Sequence, residues 1–196
     1  MAMQKSSEKR ERILQAGIQT FAVNGYSTTT IKEVAKTAGV SYGTVFTYFE
    51  NKEDLFKASV LEPLEEVKSV MFSIPHPSEH PAEQIKETIE RQFRFFAQQT
   101  TYARMLQYVI GQPERFPDLF KELDQFSLHL REALRPLILK GQEKGELIQL
   151  EPNDISDSYL SFINGVRLTF IDSAEEMERW DTFIRQAYLL FGPSNP

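Results

Sequence analysis

A short stretch of the chain, residues 30–52, holds side chains that suit contact with a nucleic acid. Threonine hydroxyls can bind phosphate oxygens or base edges, aromatic rings can touch bases, and Lys52 can neutralise a phosphate. Residues 1–52 contain seven basic and four acidic residues, against 15 basic and 24 acidic residues in the rest of the chain. A basic end on an acidic body is typical of a protein with one face for nucleic acid, although a solvated basic helix end gives the same pattern.

The sequence offers little for catalysis or metal binding. The chain has no cysteine, which excludes a thiol nucleophile, a cysteine zinc site and a disulfide. It has no glycine-rich phosphate loop and no H-E-x-x-H or G-x-S-x-G motif. His76 and His80 are four residues apart, but the prolines around them exclude the helix that such a metal pair needs. We therefore expect neither an enzyme nor a metal or cofactor.

Two short helices are predicted to position this stretch. The first, Thr30–Ala38, begins with the capping box T-I-K-E, and the second, Ser41–Phe49, begins with a serine that can cap it. Only a tight turn fits at Gly39-Val40, so the two helices must cross steeply. This is the helix-turn-helix arrangement, whose second helix enters the DNA major groove. The alternative is an ordinary pair of helices in a bundle.

Nearly every other segment also has its apolar residues at helical spacing. We predict an all-α protein of about nine helices, in which a three-helix N-terminal domain contains the helix-turn-helix. Asn24-Gly25 is expected to end the first helix, Pro63 to kink a long fourth helix, and Pro136 to bend or break a later one.

Residues 12–57 resemble the DNA-binding domain of the TetR/AcrR family of bacterial transcription regulators. The resemblance begins at Ile13-Leu-Gln-Ala-Gly, passes through Thr29-Thr-Ile-Lys-Glu-Val-Ala35, and ends with Ala38-Gly-Val-Ser-Tyr-Gly-Thr-Val-Phe-Thr-Tyr-Phe-Glu-Asn-Lys-Glu-Asp-Leu-Phe56. It covers about a quarter of the chain. The rest is similar to the family only in length and helical pattern.

The resemblance implies a role for each matched residue of the motif. The residues near base edges, at the start of the recognition helix, are Tyr42, Gly43 and Thr44. The residues that hold DNA phosphates are Thr29, Thr30, Thr47, Tyr48 and Lys52. Phe46 stands where many members carry tyrosine, and without the hydroxyl its ring can still touch a thymine methyl group. The basic residues of the first helix that can steer and grip the DNA backbone are Lys9, Arg10 and Arg12.

Members of this family keep a cavity for a small, usually apolar or aromatic ligand among the helices of the body, and the resemblance implies one here. The helices predicted near residues 82–111, 117–143 and 152–172 would line it. The candidate lining residues are Phe93, Phe96, Met105, Tyr108, Phe126, Leu130, Phe162 and Val166. The alternative for most of them is ordinary core packing.

The last two predicted helices have the features of an interface between subunits. A stripe of small, mostly uncharged residues would let another helix approach closely, and it consists of Ser158, Ser161, Gly165 and Leu168. The final helix is apolar nearly all round and so needs a second partner surface. Its candidate contact residues are Trp180, Phe183, Ala187 and Leu190. We expect a homodimer joined by a four-helix bundle; the alternative is that both helices pack within one subunit.

Together these features predict a homodimeric transcription regulator, a repressor that a small apolar or aromatic ligand releases from a palindromic operator. Residues 1–52 would bind DNA, and residues 53–196 would bind the ligand and form the dimer. The rival interpretation is an interaction protein that uses the motif as a scaffold or binds DNA constitutively. No apolar run is long enough to span a membrane, and the N-terminus lacks the apolar core of a signal peptide, which favours a cytoplasmic protein.

Overall fold

The computed structural model describes residues 2–170 and 177–192, and over these residues the chain is helical, without a strand. Its helices are α1 (Ala2–Thr28), α2 (Ile31–Ala38), α3 (Tyr42–Val45), α4 (Lys52–Met71), α5 (Pro81–Ala97), α6 (Thr100–Ile110), α7 (Pro117–Glu143), α8 (Pro152–Thr169) and α9 (Met177–Leu189). Within the described residues the prediction of an all-α fold with about nine helices is confirmed. In the same part of the chain, no helix is long and apolar enough to cross a membrane.

The regular part of α1 ends at Gly25, as the Asn24-Gly25 pair predicted. Gly25 has φ 72° and ψ 170°, a conformation that lies outside the helical region and that residues with a side chain rarely adopt. A Cβ atom here would lie 2.8 Å from the ring of Tyr108. The break directs Tyr26 onto Phe56, with the ring centroids 4.9 Å apart.

The long helix α4 buries one side along its whole length. The buried apolar residues are Leu55, Phe56, Val60, Leu64, Val67 and Met71, which recur at helical spacing. Pro63 lies inside α4, and the helix continues on both sides of it. Pro136 likewise lies inside α7, so the break predicted as one possibility there does not occur. The prolines predicted a loop over 73–81, and residues 73–80 are indeed not helical, whereas Pro81 is already the first residue of α5.

The described residues pack as two compact units. The first contains the residues up to Glu66 together with Thr101–Phe120, and the second contains Val67–Thr100 and the residues from Lys121 onward. Helix α4 therefore contributes residues to both units. The boundary predicted after residue 52 divides the chain by function and not by packing, and it stays a prediction.

Aromatic residues form much of the core of the first unit. Phe56 lies at the centre, with its ring centroid 5.0 Å from that of Phe21 and 5.0 Å from that of Phe116. The hydroxyl of Tyr102 on α6 donates a hydrogen bond of 2.6 Å to the carbonyl oxygen of Val60 on α4. Edge-to-face and tilted aromatic pairs of this kind stabilise a core beyond the burial of their area.

The second unit has a buried polar contact at its centre. The side-chain amide of Gln92 donates to the carbonyl oxygen of Met71 at 2.8 Å and accepts a hydrogen bond from the hydroxyl of Tyr159. All three residues are fully buried, and burial raises the pKa of the Tyr159 hydroxyl. Because each buried polar group has a partner, the contact fixes α4, α5 and α8 against one another at little cost.

Candidate DNA-binding site

A capping box begins α2. The backbone N–H and the hydroxyl of Thr30 donate to the Glu33 carboxylate at 2.8 Å and 2.9 Å, and the Glu33 N–H donates back to the Thr30 hydroxyl at 3.3 Å. The hydrogen bond from the Thr30 backbone is the main reason that the pKa of Glu33 is lowered. Gly39 then ends α2 in the left-handed conformation, with φ 64°. The helix start and stop predicted from the sequence are both confirmed.

The recognition helix α3 is shorter than predicted. Regular helix covers only Tyr42–Val45, and the chain continues in turns, such as the one closed by the Thr47 N–H on the Thr44 carbonyl oxygen at 3.2 Å. The prediction extended the helix to Phe49. The predicted cap is confirmed, because the Ser41 hydroxyl accepts a hydrogen bond from the Thr44 N–H at 3.2 Å.

Buried apolar side chains join α2 to α3. These residues are Val34, Ala35, Val45 and Phe49, which together form a small core. The turn residue Val40 is half-buried. Val45 is the buried residue of α3, whereas Tyr42 and Gly43 are exposed, so the side of α3 opposite Val45 faces solvent.

Two aromatic rings dominate the exposed side of α3. Tyr42 is 51% exposed and Phe46 is 40% exposed, and their ring centroids lie 5.1 Å apart in an edge-on arrangement. Between them, a Cβ atom added to Gly43 would meet no atom within 4 Å. The exposed side of α3 is therefore open and aromatic, and a DNA backbone or base edge can approach it closely.

The remaining polar residues of the motif differ in their exposure and in whether their hydroxyls already have a hydrogen-bond partner. Thr47 is exposed, whereas Thr44 is half-buried and its hydroxyl is 2.7 Å from that of Ser41. The Tyr48 hydroxyl accepts a hydrogen bond from Ser6 on α1 at 3.3 Å. Each hydroxyl can still make a further hydrogen bond, which a phosphate or a base edge could supply.

Thr29 occupies a different position from the other candidates. Its side chain is 1% exposed, and its hydroxyl donates to the carbonyl oxygens of Gly25 at 2.8 Å and Thr20 at 3.2 Å. This side chain closes the break after α1 and orients the loop that leads into α2. A direct phosphate contact by the Thr29 side chain is at odds with this burial.

Lys52 at the start of α4 lies against the loop that follows the α1 break. Its ammonium group donates to the carbonyl oxygen of Ser27 at 3.2 Å and lies 4.6 Å from the centre of the Tyr26 ring. Partial burial lowers the pKa of Lys52, and the nearby charge of Arg115 lowers it further. These contacts hold the ammonium group beside the loop. Among the described residues, no carboxylate forms an ion pair with it.

Arg115 is the residue at this site that sequence reasoning missed. Its guanidinium donates to the Ser27 hydroxyl at 2.6 Å and lies 5.3 Å from the centre of the Tyr26 ring. Two cations therefore lie on Tyr26, one from α4 and one from the segment before α7. Arg115 is distant from Lys52 in sequence, and no motif or spacing pointed to it.

Three basic residues of α1 were expected to contact the DNA backbone. Two of them instead form hydrogen bonds or an ion pair with other residues of the chain. The Arg12 guanidinium donates to the carbonyl oxygens of Ala38 at 2.6 Å and Gly39 at 3.4 Å, where it neutralises the negative end of α2. Arg10 forms a two-point ion pair with Glu62, at 2.9 Å and 2.5 Å, which lowers the pKa of Glu62. Arg10 and Arg12 therefore stabilise the first unit, and Lys9 is exposed.

We expect Arg12→Ala to destabilise the protein through α2. The loss of a charged hydrogen bond at the end of a helix costs about 1–2 kcal/mol. Lys9→Ala is the matched control, because it removes the same charge from an exposed position of the same helix. Urea unfolding should show a lower midpoint for Arg12→Ala alone. Equal midpoints for the two variants would contradict a structural role for Arg12.

The candidate ligand-lining residues fall in both compact units. Met105 and Tyr108 belong to the first unit, and the other six belong to the second. The buried members are Phe93, Phe96, Met105, Leu130 and Val166, and the half-buried members are Tyr108, Phe126 and Phe162. Core packing requires such burial as much as a cavity wall does, so the lining stays a prediction. No group of three or more His, Asp or Glu side chains in the described residues could hold a metal ion.

The small-residue stripe of α8 faces out of the chain. Ser158, Ser161 and Gly165 are exposed, and Leu168 is 61% exposed, which is a large fraction for a leucine. A Cβ atom added to Gly165 would meet no atom within 4 Å. This stripe is therefore available to a second subunit.

Helix α9 matches its prediction less well than α8 does. Trp180 and Ala187 are 2% and 0% exposed, and the Trp180 ring packs against Phe93 at 6.3 Å. Both residues belong to the core of the second unit, which corrects their assignment to a subunit interface. Phe183 and Leu190 are half-buried. The exposed residues of α9 are Glu178, Arg179, Arg185, Gln186 and Leu189, and because four of these five are charged or polar, the helix is not apolar all round.

Comparisons with known proteins agree with this geometry. The family model of bacterial regulatory proteins of the tetR family matches residues 13–59. The fatty acid metabolism regulator protein of Bacillus subtilis is 25% identical over 190 residues, which span 97% of this chain and 81% of that protein. The transcriptional repressor BepR of Brucella suis is 31% identical over 96 residues, 47% of this chain and 45% of that protein.

The fold is shared along almost the whole chain. The crystal structure of a bacterial regulatory protein of the tetR family from Rhodococcus RHA1 has a TM-score of 0.75 and 20% identity, and the match covers 95% of this chain and 98% of that one. The matched family segment contains the capping box, α3 and Lys52, which are the parts of the site described above. Residues 13–59 therefore carry the helix-turn-helix of the tetR family of bacterial regulatory proteins, and the chain shares its fold with a solved protein of that family.

Proposed function

We propose that this regulator is a repressor that binds a two-fold symmetric operator as a homodimer and leaves it when a small apolar ligand binds. The observation that carries the DNA part is the open side of α3, where Tyr42 and Phe46 are exposed and Gly43 has free space around it. A recognition helix of this kind enters the major groove, and a two-fold dimer presents two of them. The repressor role is supported by the name of the Brucella relative.

The proposed contacts divide into base and phosphate contacts. Tyr42, Gly43 and Thr44 approach base edges, and Phe46 lies beside them. Phosphates are held by Thr30, Thr47, Tyr48 and Lys52. Thr29 is left out of this set because its hydroxyl serves the loop before α2. Phosphate contacts set the position of the protein on the duplex, and base contacts select the sequence.

The ligand in this proposal is apolar, and we assign it to the fatty acid class. Its candidate lining residues are aromatic or aliphatic, which suits a hydrocarbon chain. The similarity to the Bacillus subtilis fatty acid metabolism regulator extends over 97% of this chain and therefore includes the body. The ligand must bind the form that does not bind DNA more tightly, by roughly 1–3 kcal/mol for a typical coupling. Helix α4, which contributes to both units, is the element proposed to carry the coupling.

An unbiased selection of bound DNA tests the first half of the proposal. We expect an inverted repeat whose half-sites lie about one helical turn apart, or a multiple of this. Selected DNA without two-fold symmetry would contradict a dimer with two recognition helices.

Calorimetry tests the second half of the proposal. Long-chain fatty acids and their coenzyme A thioesters, the two forms in which cells carry them, should bind the free protein more tightly than the protein on its operator. By reciprocity the operator must weaken ligand binding by the same factor as the ligand weakens operator binding. Equal ligand affinity with and without the operator would leave a DNA-binding protein without this switch, which is the constitutive alternative.

A further inference from the structure

The recognition segment lacks every side chain that usually reads a base with two hydrogen bonds. Residues 40–49 are V-S-Y-G-T-V-F-T-Y-F, with no arginine, lysine, asparagine, glutamine, aspartate, glutamate or histidine. Paired hydrogen bonds to guanine come from arginine or lysine, and those to adenine come from asparagine or glutamine. Residues 40–49 therefore have to select their bases by another means.

The exposed side of α3 offers apolar surface. Tyr42 and Phe46 are four residues apart, so they lie on the same side of the helix. Their rings contact each other edge-on at 5.1 Å, and each remains at least 40% exposed. The side chain of Phe46 has no polar atom with which to bind a base edge. The neighbouring Thr44 hydroxyl is within hydrogen-bonding distance of Ser41, at 2.7 Å.

One apolar group in the major groove distinguishes the bases, and it is the 5-methyl group of thymine. We propose that Tyr42 and Phe46 together form a methyl-reading surface, so that the operator carries thymine opposite this pair in each half-site. The proposal rests on the proposed function, because it assumes that α3 enters the major groove. It goes further by naming the chemical group that selects the sequence.

Deoxyuridine provides a direct test, because it differs from thymidine only by the missing methyl group. Each thymine of the selected operator is replaced in turn, together with its symmetric partner, and the dissociation constant is measured by fluorescence anisotropy. Burial of one methyl group is worth about 0.8 kcal/mol, or about fourfold in affinity, so a symmetric pair should cost about 15-fold. We expect this loss at one or two positions per half-site and almost none elsewhere.

Variants connect the effect to the two rings. Phe46→Ala should bind the thymine and uracil operators with nearly the same affinity at the sensitive position, whereas Phe46→Tyr, which keeps the ring, should still discriminate. Tyr42→Ala should likewise lose discrimination at its own position. The exposure of both rings lets these variants keep their fold, which circular dichroism checks. Thr47→Ala is the control, since the loss of a phosphate contact weakens binding to both operators by the same factor.

Three outcomes separate the alternatives. Equal affinity for thymine and uracil operators at every position would overturn the methyl-reading surface, while operator binding and the proposed function would stand. A uracil effect that persists unchanged in Phe46→Ala and Tyr42→Ala would also overturn it, and it would assign the effect to DNA shape or to another residue. Failure to select any preferred DNA would contradict the proposed function itself.

Discussion

Replacement of Lys52 by alanine should lower the affinity for the selected operator by about tenfold to a hundredfold for each half-site of the operator. A charged hydrogen bond is worth about 1.5–3 kcal/mol, and about 1.4 kcal/mol corresponds to a tenfold change. Lys52 is held at the start of α4 by Ser27 and the Tyr26 ring, and no carboxylate pairs with it among the described residues. An ammonium group in this position is ready to bind a phosphate without first breaking an ion pair.

The salt dependence should identify Lys52 as a phosphate contact. Each phosphate contact contributes about 0.9 to the slope of log affinity against log salt, so a two-fold dimer that loses two contacts should lose about 1.8. Affinity for unrelated DNA should fall by the same factor as affinity for the operator, because phosphates carry no sequence information. A variant that loses specificity instead would place Lys52 near base edges.

Lys57→Ala is the matched control for charge. It removes one lysine from the same helix, but Lys57 forms an ion pair of 2.9 Å with Glu53. We expect a small change in affinity and in salt slope. Lys52→Arg keeps the charge and should keep most of the slope. If the Lys52 and Lys57 alanine variants have equal slopes, then Lys52 contributes only to the overall charge. Thermal unfolding of each variant shows whether a lost contact to Ser27 weakens the fold.

The helix-turn-helix was predictable because its signals are local. The capping box of Thr30 and Glu33, the left-handed Gly39 and the Ser41 cap each depend on residues within a few positions of one another. The apolar spacing of α4 gave its buried side for the same reason. Local hydrogen bonds and helical periodicity can be predicted directly from the order of the residues.

Apart from the length of α3, the errors concern contacts between residues distant in sequence. Arg12 and Arg10 looked available to DNA, but their partners Ala38 and Glu62 are 26 and 52 residues away. Arg115 was missed because its contact with Ser27 spans 88 residues. A basic residue on a helix has the same appearance in the sequence whether it faces a phosphate or a carbonyl oxygen. Which of these it meets depends on tertiary packing.

The same limit explains the outcome for α9. An apolar residue at helical spacing has to be buried, but the spacing does not say whether its own chain or a second subunit covers it. Trp180 and Ala187 are covered by their own chain. On α8, in contrast, the glycine and serines that suggested a close helix approach are exposed. The predicted interface therefore rests on α8 more than on α9.

Gly165→Leu should separate the proposed dimer and raise the stability of the single chain at the same time. Within the chain, a Cβ atom at Gly165 meets nothing within 4 Å, so the new side chain has room. Replacement of a helical glycine by a residue with higher helix propensity stabilises by roughly 0.5–1 kcal/mol. In an interface where two α8 helices meet at this glycine, an extra leucine instead forces the helices apart, and overpacking costs about 1–3 kcal/mol.

If a second subunit covers Gly165, the leucine should weaken the association of the two subunits. If no subunit covers it, the leucine should only raise the stability of the single chain. Sedimentation at micromolar concentration should show the wild type as a dimer and Gly165→Leu as a monomer. Affinity for the two-fold operator should fall by about a hundredfold or more, because the two recognition helices no longer bind as one unit. Gly165→Ala is the graded control, since a methyl group adds helix propensity with little bulk, and it should remain dimeric.

Two results would contradict this interface. A wild type that sediments as a monomer would exclude a stable dimer at that concentration. A Gly165→Leu variant that stays dimeric, unfolds at a higher temperature and binds the operator as the wild type does would leave the dimer intact but exclude Gly165 from its interface. In that case the 61% exposed Leu168, three residues further along the same side of α8, would also lose its proposed partner, and the second subunit would have to dock on a different surface.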